Sequence, residues 1–211
     1  MIIAVDGPAA SGKGTLARRL AVHYGLRYLD TGSLYRAAAL HALLVHADPA
    51  DPDAATAAAR QVTAADLDDA RLRGEDVAQA ASVVAAIPGV RAALLDFQRR
   101  FARESKGAVL DGRDIGTVVC PDADAKLFLT ATRGARAARR FKELQGGGRA
   151  AIYERVLQDM IRRDARDSER RTAPLERAAD AFALDTTALD ADAAFEAARH
   201  FIETKLGTSR H

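Results

Sequence analysis

The 211-residue chain carries 31 Lys and Arg against 29 Asp and Glu, a formal net charge of +2, with 48% hydrophobic and 28% charged residues. That mixture suits one well-buried α/β domain with room for an inserted subdomain, and it excludes both a disordered chain and general attachment to nucleic acid through bulk charge. A single cysteine, Cys120, excludes an intrachain disulfide framework and fits a reducing cytoplasm, while no run approaches the ~20 apolar residues of a membrane span, so a cytoplasmic protein with no membrane partner is expected.

The first element is a short apolar run, Ile2 to Val5, which reads as a strand. It leads into Gly7-Pro8-Ala9-Ala10-Ser11-Gly12-Lys13-Gly14-Thr15 and then into a helical pattern with Leu16, Ala17, Leu20 and Ala21. Strand, glycine-bearing loop and helix in that order match the G-x-x-x-x-G-K phosphate loop, in which backbone N–H groups and a helix N-terminus converge on phosphate oxygens and the lysine reaches the outer phosphates. A nucleotide, ATP, is the expected occupant. Gly14 stands where Ser or Thr commonly binds magnesium, with Thr15 one residue later, a variant that resembles nucleoside monophosphate kinases more than GTPase switches.

Leu26 to Asp30 predicts a second strand, and Asp30-Thr31-Gly32-Ser33 the turn into a helix beginning near Leu34. Thr31 and Arg36 then fall at a strand's carboxyl end, the edge along which open α/β sheets bind ligands. Strand signals are missing from 48 to 94, which reads as a helical insertion, and a helix returning to the core is expected from Leu94 to Phe101. Ala108 to Asp111 predicts a third strand that delivers Asp111, Arg113 and Asp114 into a glycine-flanked loop. Asp111 is placed to orient hydrated Mg2+ or to brace the phosphate loop, Arg113 to hold a substrate phosphate, and Asp114 to accept from an amino group.

Ala125 to Thr130 is a fourth strand, and Thr132 caps the helix after it. On that helix Arg133, Arg136 and Arg140 share a face by their spacing, as do Arg163, Arg166 and Arg170 on a further helix from about Ile152. Two arginine-faced helices joined by Gly146-Gly147-Gly148 suggest a mobile lid. Phe182 to Asp185 supplies the fifth strand, and an amphipathic helix runs from about Ala191 to Leu206.

Four segments together carry a family likeness: Gly7 to Thr15, Leu29 to Arg36, Asp111 to Val119, and Arg163 to Asp167 with Ala173-Pro174-Leu175. In this order, over nearly the whole chain, they resemble bacterial cytidylate kinases. The resemblance implies a P-loop NTPase three-layer α/β fold: a five-stranded parallel sheet, a core of 1–47 and 95–211 with a short lid at about 141–171, and a CMP-binding insert at 48–94. It implies ATP-dependent phosphorylation of CMP and dCMP, with Mg2+, by a monomer. By the same likeness Thr31, Arg36, Ser82, Arg91, Arg113 and Asp114 line the CMP site. Arg36 and Arg113 hold its phosphate there, and Ser82, Arg91 and Asp114 meet the cytosine. Arg163 and Asp167 contact the sugar, and Arg170 clamps phosphate from the lid. Lys13, Arg113, Arg163 and Arg170 are the expected catalytic groups. The sequence departs from the family between Gly74-Glu75-Asp76-Val77 and Ala81-Ser82, where a stretch containing Ile-Arg-Thr is absent and the insert is shortened, which bears on its small sheet. A kinase of another nucleoside monophosphate, or a nucleotide-dependent switch that transfers nothing, is the competing reading.

Overall fold

The computed structural model describes residues 1–104, 106–148 and 150–208. Five strands, β1 (Ile2–Asp6), β2 (Arg27–Asp30), β3 (Ala108–Gly112), β4 (Ala125–Thr130) and β5 (Phe182–Asp185), form one parallel sheet in the order β2-β3-β1-β4-β5. β1 and β3 sit inside the sheet, and their near-continuous apolar character follows, because both faces of a parallel sheet are covered by helices. Side chains alternate between the two covers. Ile3, Val5, Val109 and Leu127 pack with Leu16, Leu20 and Ile202 of α1 (Lys13–Tyr24) and α8 (Ala191–Thr208), whereas Ala4 and Leu110 face Leu34 and Leu94 of α2 (Thr31–Leu44) and the later α5.

Register sets the site. Asp111 of β3 pairs with Val5 of β1 on one side and with Asp30 of β2 on the other, so these strands end together and release the loops after Asp6, Asp30 and Gly112 along one edge. The chain leaves β1 toward β2 and returns through β3 to lie beside β1 again, which makes this edge the crevice where doubly wound sheets take ligands.

Between 48 and 94 the described residues hold α3 (Pro52–Arg60), two short 3-10 turns (Ala65–Asp68 and Ala70–Arg73), α4 (Glu75–Val84) and the start of α5 (Pro88–Arg103), with no strand. The stretch expected to be an insert is therefore helical in its described residues. Two boundaries differ from the sequence expectation. α5 begins at Pro88, whose fixed φ suits the first helical position, so one continuous helix crosses the border drawn at 94/95. α2 begins at Thr31 rather than near Leu34, because Thr31-Gly32-Ser33 is already its first turn.

The stretch expected to hold the lid, about 141–171, falls in a helical hairpin of α6 (Arg133–Gly146) and α7 (Tyr153–Glu169), and Arg149 in its connection lies outside the described residues. Its own apolar cluster is small, with Ala137, Val156 and Met160 as the buried members. No single helix among the described residues is long and apolar enough to cross a membrane.

Candidate active site

The loop after β1 turns at Gly7, where φ is +150° and an added Cβ would lie 2.3 Å from the carbonyl oxygen of Leu129. Only glycine fits that approach. The loop ends at α1, whose first turn has neither a side-chain cap nor an acidic residue, so its N–H groups and positive dipole end stay available to an anion. Thr186, in the loop after β5, braces the nest from below by donating its hydroxyl to the carbonyl of Ser11 at 2.9 Å.

Lys13 lies 3.9 Å from Oδ1 of Asp111, and Tyr28 donates to the other oxygen of that carboxylate at 2.6 Å. Gly14 explains the departure from the common motif, since a Cβ there would meet Asp111 Oδ2 at 3.3 Å and the Tyr28 hydroxyl at 3.8 Å. The space a Ser or Thr would take belongs to the Tyr28–Asp111 pair. Burial, and after it the Arg113 charge, pushes Lys13 down to about 8, with Asp111 acting in the opposite sense. Burial raises the Asp111 carboxyl against the pull of Lys13.

Thr31 donates to the backbone carbonyl of Asp111 at 2.8 Å, and Arg36 pairs with Asp30 at 2.5 Å. Arg113 is held by Oδ2 of Asp167 at 2.8 Å and by its neighbour's carbonyl, Gly112 O, at 3.2 Å. Arg91 is buried, pairs with Asp114 and donates to Ala85 O at 3.2 Å. Ser82 accepts from Arg166 at 2.6 Å. The buried Nε of Arg163 has no hydrogen-bond partner among the described residues, and burial followed by the Arg113 charge lowers that guanidinium to about 10.

Apart from Gly7, Ser11, Leu129 and Thr186, these groups line one cavity of about 1620 Å³, which reaches from Ala9, Ala10, Lys13 and Gly14 to Ser82, Arg91 and Asp114. The expected donor and acceptor residues are thus brought together. One helix end differs: α7 stops at Glu169, Arg170 continues in extended conformation, and its guanidinium sits 3.6 Å from Asp114. Arg133, Arg136 and Arg140 also do not act as one face. Arg133 is exposed. Arg136 is buried against Asp164 of α7 (2.6 Å) and the carbonyl of Ala9 (3.2 Å), and Arg140 reaches Glu75 of α4 at 2.6 Å.

Sequence reasoning missed Tyr28, Arg136, Thr186 and Asp6. Asp6, buried at the end of β1, accepts from the N–H groups of Ile115 and Gly116, both at 2.8 Å, and so ties the phosphate-loop strand to the Asp114 loop. Burial pushes its carboxyl up to about 7 despite those two donors. A polar residue closing an otherwise apolar strand was the signal available for it.

No group of three or more His, Cys, Asp or Glu among the described residues forms a metal cage. The Asp111 carboxylate, 3.9 Å from Lys13, instead suits an outer-sphere contact to a hydrated Mg2+, an ion that keeps most of its waters and is carried by nucleotide phosphates.

The cytidylate kinase family profile matches residues 3–204. The cytidylate kinase of Methylocella silvestris is 62% identical over 205 residues, which cover 97% of this chain and 94% of the relative. That of Paramagnetospirillum magneticum is 60% identical over 97% of this chain and 98% of its own length. A solved structure, an uncharacterized protein from Eubacterium ventriosum, superposes with TM-score 0.54 at 16% identity, covering 97% of this chain and 99% of its own, and shares the fold. On a profile match over residues 3–204 and relatives 62% and 60% identical over 97% of its length, the chain belongs to the cytidylate kinase family.

Proposed function

We propose that this chain transfers the γ-phosphoryl group of ATP to the phosphate of CMP or dCMP, giving ADP with CDP or dCDP, as a cytoplasmic monomer that uses Mg2+. In this reading 48–94 is the CMP-binding insert on a core of 1–47 and 95–211. The observation that carries the residue assignment is a cluster of buried cations: burial and then the Arg113 charge lower both Lys13 and Arg163, and the buried Arg163 Nε has no hydrogen-bond partner among the described residues. Cations held that way are a receptor for transferred phosphate.

An oxygen of the CMP phosphate attacks the γ-phosphorus while the bond to the bridging oxygen of ADP breaks, and the acceptor phosphate needs no general base. Gly7 to Thr15 cradle the donor phosphates through backbone N–H groups, and Lys13 neutralises charge on the oxygens that pass between the nucleotides. Arg36 and Arg113 place the acceptor phosphate in line. Bound Mg2+ would add charge neutralisation on the donor phosphates, with Asp111 orienting its water shell. Ser82, Arg91 and Asp114 meet the base, Thr31 lines the same CMP site, Arg163 and Asp167 contact the sugar, and Arg170, 3.6 Å from Asp114, clamps phosphate from the lid. Asp114 accepts from the cytosine amino group; uracil presents an oxygen there, a mismatch worth about 1–3 kcal/mol in a buried site.

An ADP-release assay with CMP, dCMP, UMP and AMP as acceptors tests this. CMP and dCMP should dominate. Equal use of AMP, or ATP binding with no nucleoside diphosphate formed, would overturn the reading.

A further inference from the structure

Ser82 is buried on α4, and its Oγ lies 2.6 Å from Nη1 of Arg166 on α7. The same helix meets the lid at its other end, where Arg140 reaches Glu75 at 2.6 Å. Both Ser82 and Arg166 line the central cavity. A serine hydroxyl can donate or accept, so alone it would serve a ring nitrogen with or without a hydrogen. A guanidinium only donates. Arg166 therefore makes Oγ the acceptor of their bond, and its positive charge turns the O–H dipole so that the proton points away from the guanidinium.

We propose that Arg166 is a positioning residue for base selection, setting Ser82 as a hydrogen-bond donor toward the acceptor base. This rests on the reading of Ser82 as a base contact given above. Cytosine offers an unprotonated ring nitrogen and a carbonyl, both suited to a donor, whereas uracil places N3–H at the ring nitrogen. Asp114 contributes the opposite polarity, an acceptor for the cytosine amino group, so the two residues together spell an acceptor and a donor in fixed order. Because Arg166 belongs to α7, which also carries Arg163 and Asp167, the base is read with the correct polarity only while that helix is seated on the insert. Base choice and lid position are thereby one event.

The test measures kcat/KM for CMP and UMP in the wild type, Ser82→Ala, Arg166→Met and the double variant. Arg166→Met should lower the CMP-to-UMP ratio about five- to tenfold, mainly through KM for CMP, and should add nothing to the ratio in the Ser82→Ala background. Arg166→Lys, whose ammonium also donates, should restore most of the ratio. A ratio unchanged by Arg166→Met while Ser82→Ala lowers it overturns the proposal and leaves the base-site reading standing. A ratio unchanged by Ser82→Ala removes both. Arg166 is exposed, so the fold should tolerate its replacement; Arg166→Gln, a neutral donor, carries the same test and should give an intermediate ratio.

Discussion

Lys13 is buried, with Arg113 and Arg163 set against Asp111 and Asp30 around it, and is pushed down to about 8, so in the ligand-free enzyme the lysine loses its charge within an accessible pH range. The protonated form binds phosphate, and kcat/KM reports groups in the free enzyme. Above pH 8, kcat/KM for ATP should therefore fall about tenfold per pH unit. Bound phosphates favour the charged lysine and raise its pKa, so kcat should hold to higher pH. A profile of kcat/KM that stays flat to pH 9.5 would show that the Lys13 charge is not what the donor requires. Lys13→Ala should cost about a hundredfold or more in kcat, the scale of one lost transition-state donor. Near-normal turnover in that variant would remove the assignment. At the base end, Asp114→Ala should lower the CMP preference over UMP by about tenfold in a substrate panel, and it should also free Arg91, whose guanidinium is otherwise paired there.

Between elements, the least expected connection is Arg136, which fastens α6 to α7 through Asp164 and to the phosphate loop through Ala9 O. Its side chain is 5% exposed and that of Asp164 17%, so removing the cation strands a largely buried carboxylate. Arg136→Ala should cost about 3 kcal/mol in urea unfolding, the low end for a broken buried pair because Asp164 keeps some water. An unchanged midpoint would mean the hairpin is held by its apolar cluster instead. The strands were legible in sequence because buried parallel strands are short apolar runs, and the phosphate loop because glycine, lysine and a helix start are needed in one order. Arg136 was not legible. Its spacing with Arg133 and Arg140 describes a helix surface, and only the position of α7 decides which of the three turns inward. Arg170 shows the same limit: the 3.6-residue period extends to it, but the helix stops at Glu169 and the side chain goes to Asp114. The start of α2 was misplaced because Thr31-Gly32-Ser33 has turn composition, yet its backbone continues the helix.

Across the whole molecule, stability is uneven in a way that suits a closing enzyme. The sheet strands β1 and β3 are buried on both faces, whereas α7 contributes only Val156, Met160 and Asp167 as buried residues. What holds α7 and α6 against the insert is polar: the Arg140–Glu75 pair, with side chains 27% and 44% exposed, and the Arg166–Ser82 hydrogen bond. Exposed contacts of this kind are worth about 0–1 kcal/mol, so the hold of the hairpin on 48–94 is weak beside the buried Arg136–Asp164 and Arg113–Asp167 pairs. Local opening then costs far less than global unfolding. Phosphates bridging Lys13, Arg113 and Arg163 would add counter-charge to these cations and reinforce the tie that Asp167 and Arg113 already make between α7 and the core. Hydrogen exchange should accordingly be faster at the backbone amides of 153–169 than at those of β1 and β3 in the free enzyme. ATP and CMP together should slow it at least tenfold, and either nucleotide alone should slow it less. Equal protection of α7 and β3 without ligand would mean the lid is a rigid wall, and water would then have to be excluded from the transfer by some other element.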